Sequence, residues 1–265
     1  MQNHYHYLPV FAEWVLAFPF LAALIVYTGA LFISRRKGRK WPVFRTFLWL
    51  TGIVLCLISV AGPLARLAHA DFRIHMVGHL SLGMLGPLLL TLGAPVKLLL
   101  RSLSVHQAKR LTRILRSWLL GFLSNPAVTA TLNIGGLWVL YTTDLFTIMH
   151  ESPLLHIFVH LHIFLAGYLF TVSLIYVEPI PHRTSYLYRS TILVLALAAH
   201  GILSKHIYAW PPEGVPKVEA EVGGMLMYYG GDAVDLIMII ILCCHWYHDT
   251  KPRETVNGGV LAPET

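Results

Sequence analysis

The sequence predicts an all-α protein, a polytopic bundle of seven transmembrane helices with its amino terminus outside and its carboxyl terminus in the cytoplasm. Three observations carry that prediction. Of the 265 residues, 56% are hydrophobic and only 12% charged, and the mean hydropathy is +0.63, outside the ordinary soluble range. The apolar residues fall into runs close to the roughly 20 that a helix needs to cross about 30 Å of hydrocarbon. The Lys and Arg residues are shared unevenly among the connections between those runs.

The first span is expected over about 12–33. The residues before it, MQNHYHYLPVFAEW, lack the basic prefix and small-residue cleavage site of an export signal, so this run is expected to be retained. The second span, about 45–66, follows the basic stretch RRKGRKWPVFR and reaches the turn GPL. The third, about 73–95, runs from a polar bend to GAP. The fourth (126–148) opens at an Asn-Pro pair and the fifth (152–176) at a Ser-Pro pair. The sixth covers about 188–206, and the seventh, about 221–244, follows Pro211 and Pro212. Glycine and proline at these boundaries are what turns and helix starts require. The whole chain, 1–265, reads as a single integral membrane domain without repeat or low-complexity tract.

Orientation follows from the basic residues. Arg35, Arg36, Lys37, Arg39, Lys40 and Arg45, then Lys97, Arg101, Lys109, Arg110, Arg113 and Arg116, then Arg183, Arg189, Lys251 and Arg253 fall on one side. The other side holds Arg66, Arg73, Lys205 and Lys217. The positive-inside rule places the richer side in the cytoplasm. The basic connection 97–125 is amphipathic: Leu111, Ile114, Leu115 and Trp118 gather on one side, and its four central cations largely around another. An interfacial helix on anionic membrane lipid is the reading preferred to a solvated loop or a partner-docking surface. The formal charge of +7 is spent in such short clusters, so a nucleic-acid surface is not expected.

Cys56, Cys243 and Cys244 give no disulfide framework, and the adjacent pair lacks the spacing of a zinc or redox motif. CCHWYH offers a second candidate site with His245 and His248, but packing at the membrane boundary explains it more simply. No P-loop, nucleotide fingerprint or nucleophile with a base is present, so no enzyme activity is expected.

Polar residues inside the spans carry the functional argument. His75 and His79 are one turn apart on the third span, and His156 and His160 repeat that spacing on the fifth, with His162 pointing elsewhere. The sixth delivers His200 to the same outer half of the bundle, with His206 near its boundary; the seventh brings Met225, Met227, Asp232 and Asp235. Neutral imidazole binds transition metals, copper(I) also accepts thioether sulfur, and copper(II) suits nitrogen and oxygen. The candidate is a copper site drawn from His75, His79, His156, His160 and His200, with Met225 or Asp232 contributing. For either pair alone, hydrogen bonding between helices explains the histidines as well; two pairs at one depth favour metal. His4, His6, His106 and His182 read as surface residues, and His69 and His150 as solvated neighbours of the site. Alternatives remain: a haem-binding electron-transfer protein with His79 and His160 or His200 as axial ligands, a proton-coupled transporter, and a metal-free scaffold.

The segment GPLARLAHADFRIHMVGHLSLGMLGPLLLTLGAP, with HESPLLHIFVHLHIFLAGYLF, AHGILSKHI and EVGGMLMYYGGD, resembles the CtaG-like family of cytochrome c oxidase assembly proteins over about residues 10–248. The resemblance implies a multi-pass protein of the bacterial plasma membrane that supports copper delivery or insertion into a haem-copper oxidase. It implies the catalytic subunit of that oxidase and a copper donor protein as partners, and leaves a homo-oligomer open. The family-like histidines are His75, His79, His156, His160 and His200, and Asp232 takes the acidic position after GGMLM. Family members commonly carry Asp-Gln ahead of the glycine pair where this chain reads AEVGG, which weakens a ligand role for Glu221.

Overall fold

Helix α1 (Val10–Arg36) places Glu13 in its first turn and Arg35 and Arg36 in its last, matching the signs of the helix dipole. The computed structural model describes residues 10–251, so His4, His6 and Arg253 lie outside the described residues. A turn through Gly38 leads to α2 (Val43–Val60). Tyr27 stacks flat on Trp49 with 4.0 Å between ring centroids, and the Trp41 indole N–H donates to the Tyr27 hydroxyl at 3.2 Å.

Helix α2 stops well short of the expected residue 66. Gly62 adopts φ 87°, a conformation that L side chains rarely take, and Pro63 then starts the short α3 (Pro63–Ala68). The buried Glu13 carboxylate holds this corner, accepting the Gly62 N–H at 3.1 Å and the Arg66 Nε–H at 2.9 Å. Helix α4 (Phe72–Leu80), capped by Asp71, continues through a π-helical turn (Ser81–Leu85) into α5 (Gly86–Leu92). After Ala94 in the left-handed region comes α6 (Pro95–Ser102). Helices α7 (Val105–Leu115), opened by a Ser104–Gln107 capping box, and α8 (Trp118–Leu123) bury no residue.

Next come α9 (Pro126–Ala130), a second π-helical turn (Thr131–Gly135) and α10 (Gly136–Thr142), which form one continuous helix. Then follow α11 (Leu145–Glu151), α12 (Pro153–Leu174), α13 (Tyr186–Ala209) and α14 (Lys217–Thr250). Among the described residues, 6 helical stretches are long and apolar enough to cross a membrane, those over α1, α2, Phe72–Ser102, α12, α13 and α14. The expected fourth span, 126–148, does not reach that length. It is helical only to Thr142, roughly 25 Å at 1.5 Å per residue. Thr143 turns extended, its hydroxyl donating back to the Val139 carbonyl, before α11 starts in a new direction.

Helix α14 packs on α13 and α4, and α2 packs on α5. The closest approach is backbone on backbone: a Cβ at Gly167 of α12 would stand 2.0 Å from the Gly83 carbonyl oxygen of the first π turn. Buried Arg189 donates to the Leu174 carbonyl at 2.7 Å, closing the C-terminal end of α12, between the faces of Tyr176 and Tyr186. Phe18, Ile25, Phe47, Leu154, Phe158 and Val194 point outward; such a surface suits lipid and would aggregate in water. The basic stretches meet at one end, where Lys37 donates to the Ser102 carbonyl at 2.6 Å and Arg39 to that of Arg101 at 2.7 Å.

Candidate metal centre

The i, i+4 spacing on α4 and α12 does what helical geometry dictates, turning His75 and His79 from one helix and His156 and His160 from the other toward the bundle interior. His75, His79 and His156 are 6%, 5% and 6% exposed, and His200 of α13 is 3% exposed. Two further imidazoles join them. His69 follows α3, and its ring lies 4.7 Å from that of His156 and 5.2 Å from that of His150 on α11. The sequence reads both as solvated neighbours of the site; the α3–α4 corner and the return of α11 leave them half-buried in the wall of a cavity.

The array has two tiers. In the upper tier, at the N-terminal ends of α4 and α12, His156 stacks on His160 at 3.9 Å, and His75 stands 6.3 Å from His160 and 6.1 Å from His150. In the lower tier His79 faces His200 at 6.5 Å. Tyr141 lies between, its hydroxyl 3.1 Å from His75 Nε2. A cavity of about 210 Å³ opens above the upper tier, with His69 and His150 in its floor and Asp71, Glu213 and Glu219 around it. Glu219 also accepts the Phe72 N–H at 2.9 Å, tying α14 to the start of α4.

Hydrogen bonds set the tautomers. A carbonyl oxygen only accepts, so the bonds from His160 Nδ1 to the His156 carbonyl (3.0 Å) and from His150 Nδ1 to the Phe146 carbonyl (2.8 Å) place the proton on Nδ1. In the neutral ring that leaves the Nε2 lone pair for a ligand. Burial, with His150 and His160 close by, holds His69 down at about 4, and burial lowers His150 also. Both rings outside the spans are therefore neutral at physiological pH, the state that binds metal.

Several ring nitrogens are buried without any hydrogen-bond partner among the described residues: His69 Nε2, both nitrogens of His79, His156 Nδ1 and His200 Nε2. Each such group costs about 1–3 kcal/mol, and native interiors leave few of them. Donors of this type fit a transition-metal ion. No three His, Cys, Asp or Glu side chains among the described residues already converge on one point, so holding an ion requires ring rotations.

The remaining expected residues fall elsewhere. Met225 is 42% exposed and Asp232 is exposed too. They are seven residues apart and share the outward face of α14, whereas Gly224, Met227, Gly231, Val234, Asp235 and Met238 face inward. Buried Asp235 lines the cavity with His79 and His200, exposed Asp232 also stands near His200, and Met227 packs in the core with Phe72 and Met76. Glu221 stands 3.9 Å from Lys217 at the start of the helix. His162 donates to the Leu132 carbonyl at 3.0 Å and holds the second π turn, outside the array. His206 lies against Trp138. Cys243 and Cys244 are exposed and Cys56 is buried.

An uncharacterized protein of Mycobacterium leprae is 29% identical over 243 residues, covering 84% of this chain and 37% of that protein. Uncharacterized proteins of Mycobacterium bovis and Mycobacterium tuberculosis are each 33% identical over 183 residues, covering 66% of this chain and 28% of theirs. The chain therefore spans about a third of the length of the curated relatives it matches. No solved structure matches. The profile of the cytochrome c oxidase caa3 assembly factors matches residues 25–249, which contain every histidine of the array. The chain belongs to the cytochrome c oxidase caa3 assembly factor family (Caa3_CtaG).

Proposed function

We propose that this protein carries copper as cargo in its buried histidine array and supports copper delivery or insertion during maturation of a haem-copper oxidase. The observation that carries this reading is the set of unpartnered, buried ring nitrogens that begins at a surface cavity and continues into the bundle. His75, His79, His156, His160 and His200 form the copper-holding array in this reading, and His69 and His150 receive copper at the cavity. Coordination is of moderate strength, so that an oxidase catalytic subunit docked at that end takes the ion over, and a copper donor protein loads it. The role in this reading is that of a carrier rather than an enzyme.

The membrane in this reading is the bacterial plasma membrane, crossed seven times, with 126–142 as a short fourth crossing enclosed by the bundle. The amino terminus then lies outside, the histidine cavity opens outward, and the basic end where Lys37, Arg39 and Arg101 meet faces the cytoplasm. There Lys109, Arg110 and Arg113 of α7 and Arg116 just after it are exposed beside exposed Val105 and Ile114, a surface for anionic lipid. A haem held between His79 and His200 has too little room: the cavity between them is about 20 Å³, against several hundred for an organic ligand.

The test is oxidase copper content in cells whose own copy is replaced by His75→Ala, His79→Ala. Copper-deficient oxidase at normal levels of the variant is expected. Full oxidase copper in cells with a folded variant contradicts the role.

A further inference from the structure

The lower tier has features of its own that the upper tier does not explain. His79 and His200 line a small cavity of about 20 Å³ together with Asp235, Asn133 and Met84. That space is enough for one water-sized species. A neutral imidazole always presents one N–H and one lone pair, so His79, with neither nitrogen bonded, leaves both a donor and an acceptor unsatisfied. His200 Nε2 is likewise unpartnered. Asp235, 3% exposed, is the buried carboxylate on this face of α14.

The backbone is shaped around the same space. Gly83 and Met84 belong to the first π turn, and Asn133 and Ile134 to the second, so both π turns among the described residues meet at this cavity. Turns of this kind concentrate at functional sites because they break the regular ladder to re-aim side chains. Gly231 leaves room for His200: a Cβ there would lie 2.4 Å from its Cε1.

We propose that the lower tier is a second, separate copper site, in which His79, His200 and Asp235 hold one copper(II) ion below the upper tier. The inference rests on the copper-carrier reading above. Two imidazoles and a carboxylate form the nitrogen and oxygen donor set that copper(II) prefers, and the carboxylate offsets the charge of an ion taken out of water. The three side chains surround the cavity without converging, so the ion draws them inward by rotation of the rings.

The experiment loads the full chain in detergent micelles with copper(II), removes the excess, and measures copper per protein together with the electron paramagnetic resonance spectrum. Two equivalents with two distinguishable signals are expected for the wild type. Asp235→Asn and His200→Gln each lose one equivalent and the same signal, while His156→Ala loses only the other. Monodispersity and thermal unfolding identify any variant that misfolds, and two independent lower-tier variants protect against one failing. One equivalent in the wild type, unchanged in Asp235→Asn and His200→Gln, overturns the second site and confines the carrier reading to the upper-tier histidines. Loss of both equivalents in a folded Asp235→Asn overturns it in favour of one coupled cluster. No copper in the wild type overturns both readings.

Discussion

The Nδ1–H of His160 donates to the backbone carbonyl of His156, one turn earlier, at 3.0 Å, and the two rings stack at 3.9 Å. This bond fixes which nitrogen of His160 faces the array. Partners of this kind set ligand orientation and basicity as much as the ligand itself does.

The contrast with His162, two residues on, gives the first prediction. His160→Ala weakens copper retention at least roughly tenfold, read by competition with a chromophoric chelator. His162→Ala removes only the bond to Leu132 at the second π turn, costing about 1 kcal/mol of stability, and leaves retention unchanged. Equal retention in His160→Ala and wild type counts against the assignment.

Gly167 and Gly83 define how closely α12 approaches the first π turn. Gly167→Ala pushes a methyl group into the Gly83 backbone and is expected to destabilise by about 3 kcal/mol or more. Gly78→Ala meets no atom within 4 Å and, as a helical substitution, is expected to be neutral or stabilising by up to about 1 kcal/mol. Unfolding in graded denaturing detergent compares the two, and similar midpoints contradict the packing account.

Glu178, between α12 and α13, accepts the N–H groups of Val96 (2.8 Å) and Lys97 (2.9 Å) at the start of α6. Burial pushes its carboxyl up to about 7 from 4.5, against the pull of those N–H groups and of Lys97 and Arg45. The folded protein thus keeps a proton that the unfolded chain releases. Its contribution, at most about 3 kcal/mol, is fully present below pH 4.5 and is lost as the pH rises through about 7. Thermal midpoints from pH 4.5 to 8 should fall more steeply for wild type than for Glu178→Gln; parallel curves contradict the assignment.

Arg189 bridges the end of α12 and the start of α13 through the Leu174 carbonyl and two tyrosine faces, 3.9 and 4.2 Å from its guanidinium carbon. Arg189→Ala is expected to cost about 2–4 kcal/mol. Arg189→Lys should restore less than half of that, because an ammonium cannot stack on both rings while reaching the carbonyl. Full stability of Arg189→Lys in the same unfolding assay argues that charge alone suffices.

The helical class and five intramembrane histidines were legible in the sequence because apolar run length and i, i+4 spacing are local properties. What depended on tertiary path was not. Leu64 and Ala65 are apolar enough to extend α2, but the backbone turns extended at Ala61 and takes a positive φ at Gly62. Residues 143–148 continue the hydropathy of the fourth span, yet the chain turns at Thr143. His69 and His150 lie outside the apolar runs, and only the path of α3 and α11 brings them against the other rings. On α14 a usable signal was present: Gly224, Met227, Gly231, Val234 and Met238 recur every three or four residues and mark the packed face beside Asp235. Met225 and Asp232 lie off that stripe, on the exposed face, although Asp232 stays near His200.

The most direct test of the central claim is the copper content of the purified full chain against a folded His75→Ala, His79→Ala variant at equal protein. The account predicts bound copper in the wild type and a loss of at least half of it in the variant, since one histidine of the pair faces each tier. Equal copper in both proteins, or none in the wild type, contradicts it.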